Sequence, residues 1–150
     1  MSNDIKLKGK ILGFEECRNF AMSDFGGKDS PFRLLSAEEG PFSFILVNPY
    51  HILDEYSFEV DEKILENEVG LRGNIGNLAI MCIVRVDGDT LYVNLRSPLL
   101  INIKEGRFTQ IVLENESYGV SVPFAVKKES ENKTINRCKR GSKGSRKINL

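Results

Sequence analysis

Histidine is almost missing from this 150-residue chain: His51 stands alone, so no histidine-based metal cluster can form. A general base needs positioned partners, and beside Pro49-Tyr50 this histidine reads as a loop residue. Cysteine is scarce and scattered. Cys17, Cys82 and Cys138 show no Cys-x-x-Cys spacing, and an odd, patternless set argues against a disulfide framework and against a zinc site. Cys82 lies in an apolar run over residues 78–86, where a thiol acts as a small hydrophobe. No apolar stretch approaches the roughly 18 residues that cross a bilayer. The polar start Met1-Ser2-Asn3-Asp4 lacks the basic-then-apolar layout of a secretory signal. These absences point to a cytoplasmic protein with no membrane segment.

Catalytic motifs are missing too. The segment 70–76 is rich in glycine, but it lacks the Gly-Lys-Ser/Thr ending of a phosphate loop and precedes a strand rather than opening a helix. The carboxylate pairs Glu15-Glu16 and Glu38-Glu39 are adjacent, and neighbours on a strand face opposite ways, so neither pair converges on one substrate atom. No nucleophile motif is present. The expectation is a protein that is not an enzyme, uses no cofactor and works by binding other macromolecules.

What is there suits one β-rich domain. Hydrophobic residues at 41% and charged ones at 28% exclude disorder throughout. The net charge of zero hides a split. Residues 127–150 hold nine Lys or Arg against two Glu, a balance of +7, and residues 1–126 carry the compensating −7. An acidic body over 1–126 with a basic, disordered tail over 127–150 is the expected organisation.

Strand signals dominate the body, at 5–12, 19–24, 31–37, 42–47, 78–86, 91–103, 108–114 and 118–126. Segments 42–47 and 78–86 are apolar on both faces and are expected to be central strands, covered on each side. Asp87-Gly88 gives a tight turn, and Pro98 marks a bulge, corner or edge because it cannot donate to a ladder. One helix is expected over 61–68, capped by Asp61 and ended by Gly70, with Ile64, Leu65 and Val69 as its buried stripe. Short strands, tight turns and one helix predict an all-β fold, a small antiparallel barrel-like structure. The aromatics Phe42, Phe44, Tyr92 and Phe108 lie among apolar or acidic residues, which favours packing over base stacking. No direct contact with nucleic acid is therefore expected, except through the tail.

Three stretches resemble the FliW flagellar assembly factor family. They are Leu12-Gly-Phe-Glu15 with Phe20, then Pro31-Phe-Arg-Leu-Leu-Ser36 through Phe44–Pro49 to Tyr56, then 91–102 with Gln110-Ile-Val-Leu113 and Tyr118. The match runs over residues 5–124. The resemblance implies a cytoplasmic protein that binds flagellin and the RNA-binding translational regulator CsrA. Freed by falling flagellin, such a protein captures CsrA and lifts its repression of flagellin mRNA. An acidic body suits a basic, RNA-binding partner. Partner contacts are expected around the Pro98 corner and the following turn, at Pro98, Ile101, Asn102, Gln110, Glu114 and Glu116. Two departures stand out: the basic tail extends past the family domain, and Leu12 occupies the place before Gly13 where a proline is expected. The competing reading is an RNA-binding barrel whose tail grips phosphates.

Overall fold

The structure, a computed structural model, describes residues 4–27, 29–71, 76–125, 137–140 and 145–149. Apolar alternation broken by glycine turns sets the first strands: β1 (Ile5–Lys10), β2 (Asn19–Phe25), β3 (Phe32–Ala37) and β4 (Ser43–Val47). A single 3-10 turn, Pro49–His51, then leads to β5 (Ser57–Asp61), α1 (Glu62–Val69) and the long β6 (Leu78–Asp87). After these come β7 (Thr90–Val93), β8 (Leu99–Asn102), β9 (Arg107–Gln110) and β10 (Val122–Phe124). Among the described residues, no helix is long and apolar enough to cross a membrane.

Seven strands close into a barrel in the order β6-β4-β3-β2-β1-β9-β8, with β8 pairing back onto β6. Closure removes sheet edges, the usual aggregation hazard of β proteins. Every pairing in the ring is antiparallel except β1 with β9. That parallel seam needs a glycine: a Cβ on Gly9 would lie 2.1 Å from the Phe108 carbonyl oxygen.

The two-faced strands are covered on both sides, as expected from their composition. Phe44 and Leu46 of β4, Met81 of β6, and Leu99 and Ile101 of β8 face the barrel interior with Leu7, Phe20, Leu35 and Phe108. The alternate residues Val47, Ile80, Cys82, Val84 and Leu100 face outward into a second core. That core is roofed by Tyr56, by Phe58 and Val60 of β5, and by Leu65 and Val69 of α1. Period-two alternation in one strand thus serves two separate cores.

Helix α1 forms where its caps lie. The Asp61 carboxylate accepts the Lys63 N–H, and Gly70 ends the helix at φ 73, a left-handed conformation that glycine adopts without penalty. The last helical carbonyls are bound by strand side chains. Asn102 Nδ2 donates to Val69 O at 2.7 Å, and Arg107 Nη2 donates to Asn67 O. The glycine-rich segment called no phosphate site overlaps residues 72–75, which lie outside the described residues.

Two expectations need correction. The strand expected over 91–103 is two strands lying in succession along one edge of β6, with Val93 opposite Val84 and Leu99 opposite Met81. Residues 94–98 therefore bulge out opposite only Cys82 and Ile83, and Pro98 closes the excursion. β5 was not expected at all; its two alternating apolar residues, Phe58 and Val60, are too few to signal a strand without the helix that covers them. Within the basic tail, β11 (Arg137–Arg140) and β12 (Ser145–Asn149) form an antiparallel pair added to β5. A basic sequence with few apolar residues cannot build a core, but it can still satisfy an open strand edge through its main chain. The rest of the tail lies outside the described residues.

Candidate partner-binding surface

The bulge at 94–98 organises one end of the barrel. The Asn94 side-chain oxygen accepts the N–H groups of Arg96 and Ser97, both at 3.1 Å, and so folds the turn on itself. The segment after β9 runs alongside: Ile111 N–H donates to Pro98 O at 3.1 Å and Leu113 N–H to Arg96 O at 2.8 Å. Gln110 stitches three pieces together. Its Nε2 donates to Ser97 O at 3.0 Å, and its Oε1 accepts the Leu12 N–H at 2.9 Å. Here the departure at Leu12 has a physical meaning, since a proline has no N–H to give Gln110.

Beyond Gln110 the chain surfaces. Val112 is 57% exposed and Leu12 38% exposed, both large for apolar side chains. Glu114, Asn115 and Glu116 are exposed, and Asn115 Oδ1 holds their turn by accepting the Ser117 N–H at 2.9 Å. Arg96 Nη2 lies 3.8 Å from Glu116 Oε2, a solvent-exposed pair of little energetic weight. On the neighbouring turn, Phe14 packs edge-on against Phe42 and Phe44, with centroids 4.9 and 5.2 Å away, and Glu15 and Glu16 are exposed. The result is a rim with apolar residues at Leu12 and Val112 and carboxylates at Glu15, Glu16, Glu114 and Glu116. Such a mixture suits a basic protein partner that also buries apolar surface.

The structure separates the six expected contact residues. Glu114 and Glu116 lie on the rim. Pro98, Ile101, Asn102 and Gln110 are buried, Ile101 completely. They are supports: Ile101 fills the barrel, Asn102 holds the helix end, Gln110 ties the rim together and Pro98 closes the bulge. Strand β8 is buried on both faces because α1 covers the side that a bare barrel would expose. The exposure of Leu12 and Val112 had only one signal in the sequence, an isolated apolar residue beside a turn.

Chemistry elsewhere is sparse. Tyr56 OH donates to Leu95 O, and burial pushes the nearby Cys82 thiol up to about 12. Among the described residues, no group of three or more His, Cys, Asp and Glu side chains is arranged to hold a metal ion.

The fold and rim define a closed β-barrel with an outer helical layer and an acidic, apolar-flecked end, a binding architecture. The FliW protein family model matches residues 2–124. Curated relatives named flagellar assembly factor FliW include one from Caldanaerobacter subterraneus subsp. tengcongensis, 32% identical over 76% of this chain and 77% of its own. One from Clostridioides difficile is 32% identical over 80% of this chain and 92% of its own. A solved structure described as the crystal structure of the flagellar assembly factor FliW shares the fold, with a TM-score of 0.69 at 24% identity over 81% of this chain and 84% of that one. The chain belongs to the FliW family.

Proposed function

We propose that this protein is a cytoplasmic flagellar assembly factor that binds flagellin and the translational regulator CsrA, relieving CsrA repression of flagellin mRNA. Family membership across residues 2–124 carries the reading. The rim supports it physically. Its carboxylates would steer a basic RNA-binding protein and repel RNA held by that protein, while Leu12 and Val112 offer apolar area for a close contact. Binding belongs to the body, residues 1–126, and the basic tail over 127–150 is a separate element.

The test is direct binding of the purified protein to flagellin and to CsrA over a salt series. Association with CsrA should slow as salt rises. A Glu114→Lys/Glu116→Lys double variant should bind CsrA at least tenfold more weakly with an unchanged melting transition. Equal binding by the double variant at low salt would remove the rim from the interface. Failure of the parent to bind either protein would remove the functional reading. If the protein instead binds RNA alone, with affinity falling steeply in salt, the tail-based RNA reading takes its place.

A further inference from the structure

Strand β5 is held on one edge by the body and pairs on the other with β12. Tyr118 OH accepts the Ser57 N–H and donates to Ser57 O, both at 3.1 Å, so the main chain of Ser57 points toward the body. Strand hydrogen-bonding groups alternate along the chain. The N–H and C=O groups of Phe58 and Val60 therefore point to the opposite edge, where β12 lies with Ile148 opposite Phe58 and Arg146 opposite Val60. The side chains of Phe58 and Val60 are 6% and 2% exposed, which anchors β5 while its edge faces out.

Charge sorts the two sides of this pairing. Asp54, Glu55, Glu59 and Asp61 are exposed on and beside β5. Residues 137–149 contain Arg137, Lys139, Arg140, Lys143, Arg146 and Lys147 and no acidic residue. The register sets Lys147 opposite Glu59. The family model over residues 2–124 contains β5 and ends before the tail. The edge belongs to the family domain; the hairpin is an addition to it.

We propose that this edge of β5 is a strand-addition site for an extended basic peptide segment, and that the chain's own basic hairpin occupies it in cis, so that a partner strand must displace the tail. Main-chain pairing tolerates many sequences, and the flanking carboxylates select basic ones. A tethered segment acts at an effective concentration on the order of millimolar, so the tail is a strong competitor without being a tight ligand. The site is defined without reference to flagellin or CsrA.

The test uses the full chain. An Arg146→Pro/Ile148→Pro variant removes the two N–H groups that β12 directs at β5. Amide exchange at Phe58 and Val60 should accelerate at least tenfold in this variant while the barrel strands keep their protection. A synthetic peptide of residues 137–150 should bind the variant at least tenfold more tightly than it binds the parent, and less tightly as salt rises. Adding Glu59→Lys to the variant should weaken the peptide at least threefold. Equal exchange at Phe58 and Val60 in parent and variant, or no peptide binding by the variant, overturns the proposal. Unchanged peptide affinity on adding Glu59→Lys overturns the preference for basic strands. A tail-dependent dimer of the parent would overturn occupancy in cis.

Discussion

Asn102 decides whether β8 supports the molecule or touches a partner. The residue is 2% exposed, and its amide Nδ2 donates to Val69 O at 2.7 Å while its Oδ1 accepts the Glu105 N–H at 3.3 Å. Val69 is the last residue of α1, so its carbonyl has no partner within the helix. Truncation in Asn102→Ala strands that carbonyl in the interior, at a cost of about 1–3 kcal/mol, while water replaces the longer bond from Glu105. With the small void left by the amide, the loss should be about 2–3 kcal/mol. For a chain of this size that lowers Tm by about 4–12 °C. Asn102→Asp should be at least as damaging, because a carboxylate would face both the Val69 carbonyl and the negative end of the helix. Urea unfolding followed by circular dichroism, with unchanged slope, gives the number. A contact residue for a basic partner would behave oppositely: Ala would leave stability intact, and Asp would strengthen binding. A loss below about 0.5 kcal/mol for Asn102→Ala would refute the supporting role, since it falls within the range of ordinary surface substitutions.

Ile80→Ala in the outer core and Leu35→Ala in the barrel core should each cost about 2–5 kcal/mol in the same assay. Their effects should add within about 0.5 kcal/mol, because the two clusters share no packing partner. Gly9→Ala should destabilise by about 1–3 kcal/mol or more, since the new methyl meets backbone at the parallel seam. A Gly9→Ala protein as stable as the parent would show that β1 and β9 do not approach so closely. Cys82, with its thiol pushed up to about 12 by burial, should hold only ~1 part in 10,000 thiolate at pH 8. Peptide mapping after iodoacetamide treatment of the native protein should leave it unmodified, and rapid labelling would contradict its burial.

Legibility followed locality. Helix α1 was readable because its signals are adjacent in sequence: Asp61 at the start, Gly70 at the end, and Leu65 and Val69 one turn apart. The two-faced strands were readable because their composition already carries both environments. Closure of the barrel was not, since it joins residues 8–10 to residues 107–109 in a parallel pairing, and only Gly9 hints at the close approach. The same distance effect hid the burial of Ile101 and Asn102. Pro98 correctly marked a discontinuity, but nothing near it in sequence says that the helix over residues 62–69 lies over β8. Of the six residues read at the corner, only Glu114 and Glu116 are exposed, where the chain has left the sheet.

Closure also limits where any partner can bind. Among the described residues, α1 and β5 cover much of the outer face of β4, β6 and β8, and the ring itself offers no edge. Outside the ring, β10 pairs with β7 and sets Pro123 opposite Tyr92. Proline cannot donate to β7, so Pro123 takes the outward-facing position of this three-residue strand and leaves its free edge without the central donor. The proposed recognition uses two kinds of place. One is the rim, where turns after β1 and β9 present carboxylates beside Leu12 and Val112 and selectivity comes from side chains. The other is the edge of β5, where Phe58 and Val60 present main chain and selectivity comes only from flanking charge. Both favour a positively charged ligand, as does the −7 balance of residues 1–126. The +7 of the tail then has a consequence for binding as well as for solubility: wherever the hairpin lies, it lowers the attraction of the body for the basic partners that its own surface would select.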